Sequence, residues 1–590
     1  MSSYQPRVRE FQFILNEVLN LTDNQAGVEY DRELADSILE AAATFAAEVV
    51  APLNAIGDAQ GCSMPSLGTV KTPDGFSDAY NQYTSNGWTS LSCDPAYGGQ
   101  GMPGILNAVV AEMMAGANFG WMMYPGMSNA AYTCLAANGN EAQKALYLPS
   151  LCSGRWAGTM CLTEPHAGTD LGQLRTRAKK EADGSYRITG SKIFISGGEQ
   201  DLTENIIHLV LARVEGSPAG SKGISLFVVP KFLVNADGSL GERNGVICGS
   251  VEHKMGIHGN ATCTMNFDNA TGWLVGEENK GLSGMFVMMN HARIGVGLSA
   301  IGIMEAAYQK ARSYALERVQ GRPLVGTNDR ATTDTIVAHP DVRRLLLTQK
   351  AYLEGARALA LWACQLNDVL HASQDAGEKK RADDLLALVT PIVKALSSDL
   401  AVEGCNHAIQ VFGGHGFIVE NGVEQHLRDA RIIPLYEGTN GVQAMDLLGR
   451  KVLADTGMKL RLLITEIGSF VEAQQGQAGM QEFLLPLKAS LETLQNAAVT
   501  VGMQFGADQN AVGSAASPFL RLAGHVCLAW MWARMAEVSL INSNSADPLY
   551  AAKLATARFF FQQLLPTINA LEKAIAAGPK SLMSINADAL

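Results

Sequence analysis

The stretch Arg431-Ile-Ile-Pro-Leu-Tyr-Glu-Gly-Thr-Asn-Gly-Val-Gln443 carries a single carboxylate, that of Glu437, from an apolar run into a turn. The Gly-Thr-Asn-Gly sequence that follows is typical of tight turns, because glycine and asparagine tolerate backbone conformations that other residues avoid. A leucine and a tyrosine precede Glu437, so we expect its carboxylate to be partly removed from water. Such removal raises the pKa of a carboxylate and makes it a usable general base near neutral pH. The alternative is an ordinary acidic surface loop.

The length and composition are those of a large globular protein. The chain has 590 residues, of which 47% are hydrophobic and 17% are charged. It is therefore long enough for more than one domain with a well-buried core. The net charge is −12 and the sequence has no Lys/Arg block, which argues against a nucleic-acid-binding surface.

The cysteines and the N-terminal sequence bear on the compartment. Ten cysteines are scattered from Cys62 to Cys527, without a Cys-x-x-Cys pair or a Cys/His cluster of zinc spacing. We interpret them as reduced thiols and expect no metal site. The N-terminal sequence lacks the apolar region of a signal peptide, and no uncharged apolar run reaches membrane-spanning length. We therefore expect a soluble, cytoplasmic protein without a membrane span.

Hydrophobic periodicity divides the chain into a helical region, a strand-rich region and a second helical region. Residues 186–195, 207–214 and 223–229 are β-branched and bounded by turn residues, and a further strand is predicted to end near Phe267. Apolar residues spaced at three and four predict helices on both sides. The predicted segments are an N-terminal helical arm (1–30), an α-helical N-domain (31–156), a middle β-domain (157–278), an α-helical catalytic domain (279–455) and an additional C-terminal helical domain (456–590).

The last predicted segment contains large apolar side chains, among them Trp530, Trp532 and the run Phe559-Phe-Phe561. Because so much apolar surface is rarely left in contact with water, we expect this segment to dock on the rest of the protein as a helical bundle. A cluster of glycine and serine at 502–516 leaves a flexible hinge as the alternative.

Two motifs lie in and around the predicted strands. In Met160-Cys-Leu-Thr-Glu-Pro-His-Ala-Gly-Thr-Asp170, glycine allows a close backbone approach and two threonines offer hydroxyls to a polar ligand. In Lys192-Ile-Phe-Ile-Ser-Gly-Gly198, an aromatic residue and a hydroxyl stand two apart. Because side chains alternate along a strand, we expect Phe194 and Ser196 on one face. A capped turn and a buried sheet residue are the alternatives.

Three further motifs lie in the second helical region. Asn290-His-Ala-Arg293 enters a long predicted helix, and Glu317-Arg-Val-Gln-Gly-Arg322 offers arginines that could bind a pyrophosphate. In Gln410-Val-Phe-Gly-Gly-His-Gly416, successive glycines expose backbone amides suited to phosphate. A helix, not a strand, precedes this last motif, so it is not a dinucleotide-binding fingerprint.

These motifs, in this order, resemble those of acyl-CoA dehydrogenases. The resemblance covers about residues 30–450, and the added C-terminal segment is similar to that of the long bacterial members. It implies a mainly α fold with a middle β-domain: a helical N-domain, a β-barrel or sandwich and a four-helix-bundle C-domain, followed here by the extra helical domain. It also implies FAD as cofactor, a homo-oligomer (we expect a homodimer) and an electron-transferring flavoprotein as electron acceptor.

The resemblance assigns roles to residues. Glu437 is the implied catalytic base, which removes the α-proton of an acyl thioester while a hydride leaves the β-carbon for the flavin. Arg318 and Gln410 are implied to contact the FAD of a neighbouring subunit. The implied cofactor-binding residues are Met160, Leu162, Thr163, Gly168, Thr169, Phe194, Ile195, Ser196, Arg318, Gln410, Gly413, Gly414 and Thr439, and the implied substrate-binding residues are Thr169, Asn290, Arg293 and Gly438.

Two of these positions depart from the family. Phe194 replaces a frequent tryptophan, and Asn290 stands where an acidic residue is common. Within the family, the chain is most similar to members that oxidise 3-(methylthio)propanoyl-CoA to 3-(methylthio)acryloyl-CoA in dimethylsulfoniopropionate degradation. The alternatives are a dehydrogenase of another short or medium-chain acyl-CoA, an acyl-CoA oxidase and a DNA-binding relative of the alkylation-response flavoproteins.

Overall fold

The computed structural model describes residues 4–23, 27–324 and 333–590, without the side chains of Asp23, Val287, Asn290 and His291. The chain forms two compact units. We call Thr44–Gly295 the barrel unit, and Met1–Ala43 together with Val296–Leu590 the helical unit.

Helices and strands follow the predicted order. The helices are α1 (Val8–Gln12), α2 (Arg32–Phe45), α3 (Leu53–Gln60), α4 (Phe76–Ser85), α5 (Gly104–Asn138), α6 (Glu141–Cys152), α7 (Gly281–Glu317), α8 (Pro340–Ala372), α9 (Ala376–Phe412), α10 (Glu424–Ala430), α11 (Asn440–Met445), α12 (Met458–Ala473), α13 (Gln481–Phe505), α14 (Asn510–Ile541), α15 (Pro548–Phe559), α16 (Ile568–Ala576) and α17 (Lys580–Met583). The strands are β1 (Ser63–Ser66), β2 (Thr69–Lys71), β3 (Trp156–Cys161), β4 (Arg177–Lys180), β5 (Tyr186–Ser196), β6 (Asn205–Val214), β7 (Ser225–Pro230), β8 (Phe232–Val234), β9 (Leu240–Arg243), β10 (Val246–Val251) and β11 (Thr262–Val275).

The middle strands close into a barrel. Strand β11 pairs with β5, β5 with β4, β4 with β6, β6 with β7, and β7 returns to β11. Along β6, Val210 and Ala212 belong to the buried cluster inside this ring, whereas Leu209 and Leu211 pack with residues of α5 and α6. Both faces of β6 are therefore buried, which explains its nearly continuous apolar sequence.

One strand is longer than its sequence suggests. The predicted end near Phe267 is wrong, because β11 continues to Val275. The Asp-Asn pair after Phe267 looks like a turn, but here it forms a bulge: the pairing with β5 shifts register between Phe267 and Ala270, and Asn269 is left-handed with φ 49°. Turn residues also suit a bulge, in which one strand gains a residue without ending.

The helical unit is built on long, closely packed helices. A Cβ added at Gly297 of α7 would lie 2.8 Å from Val393 of α9, so only glycine allows this approach. The segment Ala376–Phe417, which includes α9, is long and apolar enough to cross a membrane. However, 78% of its most apolar window is buried within the protein, as in the core helix of a globular domain.

The C-terminal segment docks on α8 within the helical unit, as expected. The indole Nε1 of Trp532 in α14 donates to the carbonyl of Ala351 at 3.0 Å. The ring of Trp530 meets that of Trp362 edge to face, with 4.8 Å between centroids. The hinge alternative has little room, because only residues 506–509 separate α13 from α14.

A buried ion cluster ties the N-terminal arm to the same helices. Arg7 donates to Glu305 at 2.7 Å and to Glu354 at 2.8 Å, and Arg357 also donates to Glu305 at 2.8 Å. Lys553 of α15 binds Glu354 at 2.8 Å. Burial alone would raise the pKa of Glu305, but the charges of Arg7 and Arg357 outweigh it and lower this pKa to about 2. The first and last parts of the chain therefore share one charged core in the helical unit.

Candidate active site

The predicted base stands in a strained turn between α10 and α11. Glu437 is half-buried and left-handed with φ 55°, and Gly438 follows with φ 82°. Thr439 then caps α11 by accepting a hydrogen bond from the backbone of Val442. A left-handed non-glycine residue costs energy and persists only where its surroundings hold it, which is common at active sites.

Buried donors hold the turn from below. Lys394 of α9 is completely buried, and its Nζ donates to the Gly438 carbonyl and to Asn440 Oδ1, both at 2.9 Å. Gln443, also completely buried, donates through Nε2 to the carbonyls of Glu437 at 3.2 Å and Gly438 at 3.3 Å. The backbone carbonyls of Glu437 and Gly438 thus accept hydrogen bonds from side chains in the protein interior.

Asn440 connects this turn to α9. Its Nδ2 donates to Asp399 at 2.7 Å, to the hydroxyl of Ser398 at 2.9 Å and to the Ala395 carbonyl at 3.1 Å. Burial raises the pKa of Asp399, and the bond from Asn440 opposes this rise. The Asn of the Gly-Thr-Asn-Gly turn therefore anchors the turn as well as shaping it.

The residues before the base surround it unequally. Leu435 is 48% exposed, whereas burial raises the pKa of the Tyr436 phenol, and the charge of Glu437 adds to that rise. An apolar leucine and a neutral phenol beside a half-buried carboxylate fit the predicted partial removal of Glu437 from water.

In the barrel unit, the first predicted cofactor loop is held by a second buried lysine. Lys192 of β5 donates to the carbonyl of Leu162 at 2.9 Å and pairs with Glu164 at 2.8 Å. Glu164 also accepts from the amide and hydroxyl of Thr176 and from the amide of Arg175. Burial would raise the pKa of Glu164, but Lys192 and these donors lower it. The Glu164 carboxylate and the Leu162 carbonyl therefore both hold the signature loop to the barrel.

Phe194 lies in β5 at a point where the strand is irregular. The alternation of β5 would place Phe194 on the buried side with Lys192. Instead the pairing with β11 shifts between Cys263 and Met265, Phe194 is left-handed with φ 60°, and its ring is 61% exposed. A bulge in β5, and not simple alternation, exposes this ring. Burial in the sheet core is excluded.

These residues fit a flavin ring. Thr163 accepts from the amide of Ile193 at 2.9 Å, so the loop lies beside the exposed ring of Phe194. Ser196 is half-buried two residues on, and Gly168 and Thr169 are exposed. An exposed flat aromatic beside hydroxyls matches a cofactor whose ring is flat and whose edge carries hydrogen-bonding atoms. The other predicted contacts are Met160 at the end of β3, Leu162, which is buried in the loop, and Ile195, which is buried in β5.

The glycine-rich motif after α9 lies beside the end of α7. Tyr314 stacks on Phe412 with 4.2 Å between ring centroids, and its hydroxyl lies 3.2 Å from Nδ1 of His415. Gln410, Gly413, Gly414 and Arg318 are all exposed. The structure therefore brings the Arg318 and Gln410 motifs to one solvent-facing region of the helical unit, as binding to a ligand or another subunit requires.

Two of the predicted substrate contacts, Asn290 and Arg293, belong to α7. Arg293 of α7 is buried, with 6% of its surface exposed. The side chain of Asn290 lies outside the described residues. Gly438 contributes its backbone to the Glu437 turn.

Sequence reasoning gave no role to Lys192, Lys394 or Gln443. Lys192 belongs to a quoted motif, but its alternation with apolar residues looks like an ordinary strand. Lys394 lies inside the apolar run Pro391-Ile-Val-Lys-Ala-Leu396, and a single cation in such a run was the available signal that a buried acceptor must exist.

Models of acyl-CoA dehydrogenase domains match successive segments of the chain from residue 32 to residue 586. Family models match residues 32–155 (Acyl-CoA dehydrogenase, N-terminal domain), 159–270 (Acyl-CoA dehydrogenase, middle domain), 279–453 (Acyl-CoA dehydrogenase, C-terminal domain) and 463–586 (Acetyl-CoA dehydrogenase C-terminal like). The last match begins within α12 and covers α13 to α17.

Individual acyl-CoA dehydrogenases are similar to this chain over nearly its whole length. The chain is 41% identical over 595 residues to 3-methylmercaptopropionyl-CoA dehydrogenase of Ruegeria pomeroyi, covering 99% of each chain. It is 37% identical over 609 residues to the broad-specificity linear acyl-CoA dehydrogenase FadE5 of Mycobacterium tuberculosis, again covering 99% of each. In fold it matches the acyl-CoA dehydrogenase of Bacillus anthracis complexed with FAD, with a TM-score of 0.75 and 20% identity over 95% of this chain and 90% of that one. The fold, the cofactor and the enzyme class predicted from the motifs are confirmed, and the chain belongs to the acyl-CoA dehydrogenase family of FAD-dependent oxidoreductases.

Proposed function

We propose that Glu437 is the base of an α,β-dehydrogenation of an acyl-CoA thioester. The α C–H bond breaks and its proton passes to the Glu437 carboxylate, while the β-hydrogen leaves as a hydride and a carbon–carbon double bond forms. Bound FAD supplies the hydride acceptor. The observation that carries this proposal is the strained, half-buried Glu437, held by donors beneath its turn.

The base is tested by Glu437→Gln, with Glu437→Asp as the matched control. The amide cannot take a proton, so we expect Glu437→Gln to bind FAD normally and to lose turnover by about 10³-fold or more. The shorter carboxylate of Glu437→Asp keeps the chemistry but shifts its position, and should retain measurable activity. Flavin reduction by substrate at the wild-type rate in Glu437→Gln would end the proposal.

The proposed substrate is 3-(methylthio)propanoyl-CoA. The support is the activity for which the Ruegeria pomeroyi relative is named, at 41% identity over 99% of the chain. The 37% identical broad-specificity relative supports the rival substrate class, linear acyl-CoA.

A matched pair of substrates separates the two. Pentanoyl-CoA has the same chain length as 3-(methylthio)propanoyl-CoA, with a methylene in place of sulfur. We expect a kcat/KM at least about tenfold higher for the thioether substrate, which corresponds to about 1.4 kcal/mol of transition-state discrimination. Equal or better turnover of pentanoyl-CoA would favour the broad-specificity alternative.

The proposed assembly is a cytoplasmic homodimer that passes electrons to an electron-transferring flavoprotein. Phe417, Ile418 and Val419 are 86%, 48% and 66% exposed beside the glycine motif, and such a run of apolar surface is typical of an interface. Light scattering of the FAD-loaded protein tests the dimer, since a fully active monomer contradicts it.

Turnover without hydrogen peroxide, and dependent on an added flavoprotein acceptor, separates the dehydrogenase from an oxidase.

A further inference from the structure

Lys394 is a buried cation that donates hydrogen bonds to the turn that contains Glu437. It projects from α9 with none of its surface exposed, and donates to the Gly438 carbonyl and Asn440 Oδ1 at 2.9 Å. Removing an ammonium from water is costly unless hydrogen bonds replace the lost solvation. Because these oxygens help to meet that need, the two hydrogen bonds couple the position of the lysine to that of the turn.

Gln443 binds the same turn from its C-terminal side. Its Nε2 is shared between the carbonyls of Glu437 and Gly438, at 3.2 Å and 3.3 Å. Each carbonyl belongs to a planar peptide unit, so fixing the carbonyl also fixes the orientation of the whole unit. Together the two side chains fix the peptide units on either side of Gly438.

The conformation so fixed is one that glutamate avoids. At φ 55°, Glu437 is left-handed, and without external restraint it would relax to a region allowed to residues with a Cβ. Such a relaxation rotates the Cα–Cβ bond and redirects the carboxylate. The direction of the carboxylate therefore depends on groups that do not themselves react.

We propose that Lys394 and Gln443 are positioning residues for the base: they hold the left-handed turn that aims the Glu437 carboxylate at the substrate α-carbon. The inference rests on the proposed function of Glu437, and it adds two residues that act through the backbone of the turn. It predicts that the proton-removal step slows when either donor is lost, although the carboxylate is still present.

The test measures proton removal by itself. With the FAD of the holoenzyme kept chemically reduced, no hydride can be transferred, so uptake of deuterium from D₂O at the α-carbon of butanoyl-CoA reports only the base. We expect Lys394→Met to slow this exchange about 10- to 100-fold, as a misplaced reacting group does. The KM for butanoyl-CoA and the FAD content per folded protein should stay near wild type. Amide hydrogen exchange across residues 435–443 should become faster.

Two further variants keep the outcome decisive. Lys553→Met removes a buried lysine from the ion cluster, so it should lower the melting temperature and leave α-proton exchange per folded holoenzyme unchanged. If Lys394→Met does not fold, Gln443→Met removes the other donor and should slow exchange in the same direction, by a smaller factor.

The possible results separate the two proposals. Wild-type exchange in a folded Lys394→Met, or in Gln443→Met where the lysine variant fails to fold, overturns the positioning role. Wild-type exchange in Glu437→Gln overturns the proposed function itself. Loss of exchange in Glu437→Gln together with wild-type exchange in Lys394→Met leaves the base assigned and rejects only the inference.

Discussion

The loop around Glu164 in the barrel unit and the turn around Glu437 in the helical unit are both held in place by buried polar side chains, but in different ways. Each adjoins a left-handed non-glycine residue, Phe194 in one and Glu437 in the other, and each stands on a fully buried lysine. In the barrel, Lys192 donates to the Leu162 carbonyl and pairs with Glu164, whose carboxylate also accepts from Arg175 and Thr176. In the helical unit, Lys394 and Gln443 donate directly to backbone carbonyls of the turn.

The two regions are therefore sensitive to different changes. In the barrel loop the ion pair is the most vulnerable support, because removal of either charge leaves the other buried without compensation. The Glu437 turn depends instead on the packing of α9 and the helices around it, which place Lys394 and Gln443 at the right depth. Loss of one charge should therefore destabilise the barrel loop, whereas the turn should be sensitive both to loss of Lys394 or Gln443 and to loss of the helices that place them.

The largest expected effect comes from ending the chain at residue 455. This removes α14, and with it the contacts of Trp530 and Trp532 on α8, so a broad apolar face of the helical unit becomes exposed. We expect an aggregating, FAD-poor protein, as judged by size-exclusion chromatography and by flavin absorbance per protein.

Its control is a chain that ends at residue 579, which loses only the exposed residues 580–590 and should behave as wild type. If the chain that ends at 455 remained soluble and active, the C-terminal helices would be an independent appendage.

The next largest effect is expected from Lys192→Met in the barrel unit. Glu164 would then be buried without its cation, and breaking a buried pair in this way costs about 3–5 kcal/mol. Thermal unfolding should show the loss, together with a lower FAD content because the loop beside Phe194 becomes disordered. The double variant Lys192→Met/Glu164→Gln removes both charges and should recover part of the stability. A double variant no more stable than Lys192→Met would show that the pair is not the main support of the loop.

How much of this could be read from sequence differs between the two regions. The Glu437 turn was predictable, because Gly-Thr-Asn-Gly limits the backbone to turn conformations whatever the surroundings. The exposure of Phe194 could not be predicted from its motif, because the bulge that exposes the ring depends on the register with β11, which is a property of two distant segments. Lys394 gave almost no signal, since the acceptors of its ammonium lie more than forty residues further along the chain. Structure that is set by neighbouring residues could thus be predicted from the sequence, whereas contacts between distant helices or strands could not.

A third prediction concerns acid and again separates the units. Burial, with smaller effects of Lys231 and Arg243, lowers the pKa of His208 in the barrel to about 3. The unfolded chain therefore binds a proton below pH ~6.5 that the folded barrel does not, and stability falls as pH drops from ~6.5 towards 3, by about 1.4 kcal/mol per pH unit. His525 in the helical unit, with its pKa lowered by burial to about 4, adds a similar fall over a narrower range.

His208→Gln isolates the barrel's contribution. Urea unfolding between pH 7 and 5 should give a shallower loss of stability in this variant than in wild type, whatever its stability at pH 7. Parallel curves would mean that His208 titrates alike in the folded and unfolded states.

The smallest expected effect is the strain stored at Phe194. A residue with a Cβ held at φ 60° is destabilised by about 1 kcal/mol relative to glycine, which adopts this conformation freely. Phe194→Gly and Phe194→Ala both remove the exposed ring, so they differ chiefly in this backbone term. We expect the glycine variant without FAD to be about 1 kcal/mol more stable than the alanine variant in urea unfolding, while both bind FAD more weakly than wild type. If the two variants were equally stable, the bulge would impose no strain. The left-handed conformation of Phe194 would then be a consequence of the strand register and not a cost accepted to present its ring.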